Sequence, residues 1–88
     1  MEVGFSTTFK RAFRKRVKGN TRLERRFLQK LEKFCANPFD ESLKTHKLSG
    51  KLKELWSFSI EYDIRVLFYF KDDDKAVFID IGSHKDVY

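Results

Sequence analysis

Residues 55–81 read LWSFSIEYDIRVLFYFKDDDKAVFIDI, and the hydrophobic period of this segment is two. In three runs of this segment every second side chain is apolar, as in strands that bury one face. Tyr62-Asp63 separates the first two runs, and the aspartates of residues 72–74 separate the second from the third. Strands joined by short turns pair antiparallel, so the segment predicts a three-stranded meander. The side chains predicted to face the core are Trp56, Phe58, Ile60, Ile64, Val66, Phe68, Phe70, Val77, Ile79 and Ile81.

The residues before this segment have a hydrophobic period near 3.6, which is typical of helices. A first helix ends at Gly19, and a capping-box pattern over residues 21–24 starts a second one that ends at Asn37-Pro38. Residues 1–5 suit a short strand. We therefore expect an α+β fold, with an N-terminal strand and a helical hairpin packed on one face of a small antiparallel β-sheet, as a single domain over residues 1–88.

The composition fits one small folded domain whose partner is a polyanion or an acidic protein. The 88 residues are 41% hydrophobic, include ten phenylalanines and carry a formal net charge of +6. A single cysteine excludes an internal disulfide, and no cysteine or histidine cluster has metal-ligand spacing, so we expect no metal and no cofactor. The sequence shows no signal-peptide pattern and no run of about 20 apolar residues, which predicts a soluble cytoplasmic protein without membrane contact.

Two histidines, an arginine and a tyrosine are the candidate site residues. His46 opens a lysine-rich turn, Arg65 interrupts an apolar strand, and His84 precedes Tyr88 by four positions. If the strand alternation continues past Ile81, His84 and Tyr88 lie on the sheet face opposite the core, together with Arg65. The alternatives are a structural histidine, an aromatic cover for the sheet edge, and an ion pair of Arg65 with Glu61, Asp63 or Asp80.

These groups suit the cleavage of RNA by its own 2′-hydroxyl. A base takes the hydroxyl proton, the oxygen attacks the neighbouring phosphorus, and an acid protonates the departing 5′-oxygen. A guanidinium binds phosphate through paired donors, and Lys47, Lys51 and Lys53 are predicted to bind the substrate electrostatically. The reaction needs no metal ion, and DNA is excluded as a substrate because it lacks the 2′-hydroxyl.

Four segments of the carboxyl-terminal half carry a resemblance to a known family. They are HKLSGKL at residues 46–52, WSFSI at 56–60, DIRVLFY at 63–69 and IGSHKDVY at 81–88. Together they resemble the RelE/ParE superfamily of toxins from bacterial and archaeal toxin–antitoxin modules, and most closely its YafQ-like and RelE/StbE members. The most specific feature is the ending of glycine, serine or threonine, histidine, two variable residues, valine or leucine, and tyrosine or phenylalanine. The helical half matches in pattern and charge.

The resemblance implies a ribosome-dependent endoribonuclease that cuts messenger RNA in the ribosomal A site. It implies that His84 is a catalytic histidine and that Tyr88 is the aromatic residue that orients the substrate. It also places His46 where relatives carry a proposed general base and Arg65 where they contact the scissile phosphate. Asp63 matches an acidic position that supports the site in YafQ-like members.

The resemblance further implies an antitoxin partner, usually acidic where it wraps the toxin, which agrees with the charge of +6. Ser59 is a departure, because YafQ-like relatives often carry a histidine there, so the assignment of acid and base between His46 and His84 stays open. Two other functions fit the sequence: a non-enzymatic inhibitor of DNA gyrase, as in the ParE branch, and a basic RNA-binding or ribosome-binding module. The two histidines and the arginine favour the nuclease, because a gyrase binder has no need of proton carriers.

Overall fold

The computed structural model describes residues 1–50 and 54–88. In chain order its elements are β1 (Glu2–Phe5), α1 (Thr7–Arg16), α2 (Thr21–Ala36), a 3-10 turn (Glu41–Leu43), β2 (His46–Lys47), β3 (Trp56–Glu61), β4 (Ile64–Asp72), β5 (Lys75–Ser83) and α3 (His84–Val87). The predicted α+β class, with its N-terminal strand, helical hairpin and meander, is confirmed. The elements β2 and α3 escape the pattern analysis, because each is too short to show a hydrophobic period.

All five strands form one sheet in the order β1-β5-β4-β3-β2. Strands β3, β4 and β5 form the predicted antiparallel meander, and the short strand β2 adds to it antiparallel beside β3. In contrast, β1 pairs with β5 in parallel, with Glu2 opposite Lys75 and Phe5 opposite Phe78, so the sheet is mixed and not purely antiparallel as expected. β1 and β5 are not consecutive in the chain, so no short turn requires them to pair antiparallel.

The second helix is capped one residue earlier than the sequence pattern predicts. The side chain of Asn20, not that of Thr21, accepts the backbone N–H of Leu23 at 3.1 Å. The Glu24 carboxylate accepts the backbone N–H of Gly19 at 3.1 Å. In a capping box a side chain of the first turn would accept the backbone N–H of the N-cap residue, here Asn20. Asparagine and threonine both suit the N-cap position, so residue type alone does not choose between them.

Phenylalanine rings hold the helical hairpin against the sheet. Phe34 of α2 is fully buried, and its ring centroid lies 5.0 Å from those of Phe58 and Phe68 and 5.2 Å from that of Phe78. These partners come from β3, β4 and β5, and Phe9 of α1 packs on the same β5 ring at 5.6 Å. Each such pair adds about 0.5–1.5 kcal/mol to the free energy gained by burying the rings. The core thus lies between the hairpin and one face of the sheet.

A bulge in β5 changes which of its side chains face the core. The register with β4 skips Ile79, so Phe78 is buried while Val77 and Ile79 are half-buried. The prediction that Val77 and Ile79 face the core is therefore wrong. Ile81 is buried as predicted, because the extra residue restores the alternation. On the other strands Phe58, Ile60, Val66 and Phe68 are buried as predicted, and Trp56, Ile64 and Phe70 are partly buried against them.

Arg16, at the end of α1, ties the end of the sheet to α3. Its guanidinium donates to the Asp80 carboxylate at 3.0 Å and to the carbonyl oxygen of Ile81 at 2.9 Å, and it lies 3.9 Å from the carboxylate of Asp86. Gly82 passes between these groups. A Cβ atom at this position would lie 2.8 Å from Asp86 Cβ and 2.9 Å from Arg16 Nη1, closer than van der Waals contact allows. Any larger residue at position 82 would therefore displace Asp86 or Arg16.

We predict that Gly82→Ala lowers the free energy of unfolding by about 1–3 kcal/mol, the usual cost of overpacking, because the added methyl group displaces α3 or Arg16. Urea denaturation followed by circular dichroism measures the change. The matched control is Gly4→Ala, whose Cβ would meet the flexible Lys75 side chain at 3.4 Å, and its stability is expected to stay within about 0.5 kcal/mol of the wild type. Equal losses in the two variants would contradict the role of Gly82.

Candidate active site

His84 is the first residue of the one-turn helix α3, and Tyr88, which follows the helix, lies beside it. β5 ends at Ser83, so the strand alternation does not reach residues 84–88, and the assumption that it does is wrong. His84 and Tyr88 lie instead four residues apart on a helical turn, with ring centroids 4.5 Å apart and ring planes at 85°. Their proximity therefore comes from helical spacing and not from a shared strand face.

Reciprocal hydrogen bonds fix the start of α3. Ser83 Oγ accepts the backbone N–H of Asp86 at 3.2 Å, and the Asp86 carboxylate accepts the backbone N–H of Ser83 at 3.0 Å. The hydrogen bonds from Ser83, together with the positive charges of Arg16 and Lys15, lower the pKa of the Asp86 carboxyl. The carboxylate is therefore ionised at neutral pH, and the cap that positions the two rings persists there.

Arg65 lies on β4 directly opposite Ser59 of β3, and its guanidinium donates to Ser59 Oγ at 3.2 Å. The side chain is half-buried. The Ser59 hydroxyl thus holds the arginine side chain over β3.

Two of the three acids considered as ion-pair partners of Arg65 are paired with other arginines. Asp80 pairs with Arg16 at 3.0 Å, and Glu61 receives both of its contacts from Arg22, at 2.7 and 2.8 Å. The ion-pair alternative for Arg65 is therefore wrong for these two acids. Its guanidinium keeps donors available for a phosphate group.

His46 lies on the two-residue strand β2, opposite Ser57 of β3. Its Nδ1 atom is 3.0 Å from the carbonyl oxygen of Lys44. A carbonyl oxygen only accepts, so Nδ1 carries the proton of the neutral ring and Nε2 carries the lone pair. Lys44 itself has a left-handed backbone, with φ of 52°, at the end of the 3-10 turn. The ring is exposed, with one nitrogen committed to the backbone and the other accessible.

Four of the predicted residues line one open cleft of about 320 Å³. They are His46, Arg65, His84 and Tyr88, joined by Lys44 and Ser59. The structure does not bring Lys47 or Asp63 into this cleft: Lys47 lies exposed on the edge strand β2, and Asp63 lies in the exposed turn between β3 and β4. Lys51 and Lys53 fall outside the described residues.

Lys44 lines the cleft although its sequence context does not mark it as a site residue. It is one of several lysines around residue 46, and its residue type does not distinguish it from its neighbours. The buried Leu43 and the left-handed turn that follows it place its side chain at the cleft. The cleft therefore combines two imidazoles, a guanidinium, an ammonium and a phenol, which are groups able to move protons and bind an anion.

Within residues 1–50 and 54–88, no three side chains of histidine, cysteine, aspartate or glutamate come together as metal ligands would. No helix in the same ranges combines the length and the hydropathy that a membrane span requires.

Comparisons with known proteins give one family and a consistent set of folds. A family model described as a bacterial toxin of type II toxin–antitoxin system, YafQ, matches residues 1–88. No curated protein matches the chain. YafQ from Escherichia coli strain BL21(DE3) is 20% identical with a TM-score of 0.71, over 99% of this chain and 97% of that one. The YoeB/ParE toxin from Agrobacterium tumefaciens is 15% identical with a TM-score of 0.78, over 96% and 99%.

A third similar structure is the YoeB–YefM complex from Staphylococcus aureus, whose matching chain is 18% identical with a TM-score of 0.76, over 96% of this chain and 97% of that one. At these identities the solved structures show a common fold, and the family model adds membership because it matches the whole length. The resemblance to the RelE/ParE superfamily is thus confirmed. The chain belongs to the YafQ family of bacterial toxins from type II toxin–antitoxin systems.

Proposed function

We propose that this toxin is a ribosome-dependent endoribonuclease that cleaves messenger RNA in the ribosomal A site. Toxins of the YafQ and YoeB type are generally ribonucleases. The observation that carries the proposal is the meeting of His46, Arg65 and His84 in one cleft, where the guanidinium is bonded to a neutral hydroxyl. Such a guanidinium is available to a phosphate that enters between the two imidazoles.

In the proposed reaction, Nε2 of His46 takes the proton of the ribose 2′-hydroxyl. The hydrogen bond of Nδ1 to the Lys44 carbonyl supports this role, because it leaves the lone pair on Nε2. The 2′-oxygen forms a bond to phosphorus while the bond from phosphorus to the 5′-oxygen breaks, and His84 gives a proton to that departing oxygen. The products are a 2′,3′-cyclic phosphate and a 5′-hydroxyl end.

Cations and the terminal ring complete the proposed site. Arg65 and the Lys44 ammonium stabilise the charge that develops on the phosphoryl oxygens, and Tyr88 orients the nucleotide beside His84. Lys47, Lys51 and Lys53 stay predicted substrate-binding residues of the central turn. Asp63 stays a predicted supporting residue, and its exposed position favours an indirect role.

The proposal also concerns partners and location. An antitoxin is the expected partner of a toxin from a toxin–antitoxin system, and one of the similar structures is a complex of YoeB with YefM. We propose that the antitoxin of this chain is acidic where it binds, because the net charge is +6. The ribosome and messenger RNA are cytoplasmic, so the proposed activity places the toxin in the cytoplasm.

We predict that Arg65→Ala lowers the cleavage rate about 10²–10³-fold, the usual cost of removing one donor to a developing oxyanion. The cleavage rate of Arg65→Lys should lie between those of the wild type and Arg65→Ala, since lysine keeps the charge and loses the paired donors. Primer extension on messenger RNA in translating ribosomes measures the rate. The control is Arg14→Ala, which removes an exposed arginine of α1 outside the cleft. Equal rates for Arg65→Ala and Arg14→Ala would remove Arg65 from the site.

We predict that His46→Ala and His84→Ala each lower the rate about 10²–10⁴-fold, the usual contribution of an acid or a base. A substrate with sulfur in place of the departing 5′-oxygen separates the two roles, because a thiolate leaves without protonation. This substrate should restore cleavage by His84→Ala and not by His46→Ala. If this substrate instead restored cleavage by His46→Ala, His46 would be the acid and His84 the base.

We predict that a 2′-deoxy substitution at the cleaved nucleotide abolishes cleavage, because it removes the attacking oxygen. Mapping the ends of messenger RNA after addition of the toxin to translating ribosomes should give new 5′-hydroxyl ends within codons. The same assay on RNA without ribosomes tests ribosome dependence. Intact messenger RNA together with trapped gyrase–DNA adducts would instead establish the gyrase alternative.

A further inference from the structure

A second depression adjoins the candidate active site. It has a volume of about 440 Å³ and shares Lys44, Ser59 and Arg65 with the cleft. Its remaining wall is built by α2, by the 3-10 turn and by the turn between β3 and β4. We call it the α2 groove, and the side chains that define it beyond the shared ones are Arg26, Lys30, Glu61 and Tyr62. The groove and the cleft therefore meet at the side chains of Lys44, Ser59 and Arg65.

The α2 groove presents positive charge. Glu61 is the acidic side chain among its described lining residues, and its carboxylate is held by Arg22 at 2.7 and 2.8 Å. Arg26 is exposed, whereas Lys30 is half-buried and donates to the carbonyl oxygen of Ser42 at 3.0 Å. Burial lowers the pKa of Lys30, and repulsion by the neighbouring Lys33 and Arg26 lowers it further. An anion in the groove would relieve this repulsion.

The outer end of the groove carries an exposed aromatic ring. Tyr62, in the turn between β3 and β4, is 96% exposed. No buried contact in the described chain accounts for a ring at this place. Aromatic rings beside a basic groove are the surfaces on which the bases of single-stranded nucleic acids stack.

We propose that the α2 groove binds the single-stranded RNA that flanks the cleaved linkage. Arg26, Lys30 and Lys44 contact the backbone phosphates, and Tyr62 stacks on a base. This inference rests on the proposed function, because it follows the substrate out of the cleft through the shared side chains of Lys44, Ser59 and Arg65. An acidic protein segment would need only the positive charge of the groove for binding. The shared side chains with the cleft and the exposed Tyr62 ring favour RNA instead.

The experiment compares two double variants that are matched in chemistry. Arg26→Gln with Lys30→Gln removes an arginine and a lysine four residues apart on α2, and Lys10→Gln with Arg14→Gln removes the same pair at the same spacing on α1. Neither Lys10 nor Arg14 lines the groove as described. The probe is a fluorescent single-stranded RNA of eight nucleotides with 2′-O-methyl groups throughout, which cannot be cleaved. Fluorescence anisotropy at several salt concentrations gives the Kd and its salt dependence.

The α2 double variant should differ from the α1 double variant both in the Kd and in its salt dependence. For the α2 pair we expect weaker binding and a slope of log Kd against log salt that is lower by about 1.4, which corresponds to two lost phosphate contacts on a single strand. Tyr62→Ala should weaken binding about ten-fold or more with the slope unchanged. Wild-type toxin and all groove variants should bind a dinucleotide equally, because it fills the cleft alone. Circular dichroism checks that each variant is folded.

Equal losses of binding in the α1 and α2 pairs, or a Tyr62→Ala variant that binds as the wild type, would overturn the proposal. If the α2 pair binds RNA normally and loses binding to poly-L-glutamate, the groove takes an acidic protein segment and the RNA assignment is wrong. Binding of the methylated probe requires no chemistry. A wild-type toxin that binds the probe through the groove and cleaves no messenger RNA would therefore contradict the proposed function and leave this inference standing.

Discussion

The contacts of Arg16 join the helical hairpin to the end of the chain that carries the chemistry. Its guanidinium binds Asp80 and the Ile81 carbonyl of β5 and approaches Asp86 of α3. Together with the cap formed by Ser83 and Asp86, these contacts hold α3 and the rings of His84 and Tyr88 at the end of β5. They also occupy Asp80, which could otherwise neutralise Arg65. The pair is only about a quarter exposed on either side, so solvent screens it less than a surface ion pair. One cation outside the cleft thus controls both the shape and the charge of the site.

Hydrophobic period predicts the elements that contain several repeats, namely α1, α2, β3 and β4, because burial of one face imposes the pattern on the sequence. The prediction fails in β5 at Ile79, where a single extra residue moves Phe78 into the core. An extra apolar residue in an apolar strand leaves no mark that a period of two could reveal. It fails for the direction of β1 as well, since that depends on contacts between Phe5 and Phe78, which are far apart in sequence.

The site is predictable where residue types are rare and unpredictable where they are common. The chain has two histidines, so His46 and His84 can be chosen by their chemistry and by family resemblance. Lysines and arginines number 19, and nothing in the residue type separates Lys44 from the others. Which arginine remains available for a phosphate depends on two ion pairs. Arg22 and Glu61 are 39 positions apart in the sequence, and Arg16 and Asp80 are 64 positions apart. Such pairings arise from the fold, and local patterns do not encode them.

The helix α3 is a single turn, held by the Ser83 and Asp86 cap, the Arg16 contacts and one buried side chain, Val87. Segments of this size open at a free energy well below that of global unfolding. The fraction of molecules with both rings in place is therefore set by a local equilibrium that the phenylalanine core does not govern. Two variants with the same melting temperature can differ widely in that fraction, and a ligand that holds the turn closed raises it without any change in the rest of the molecule.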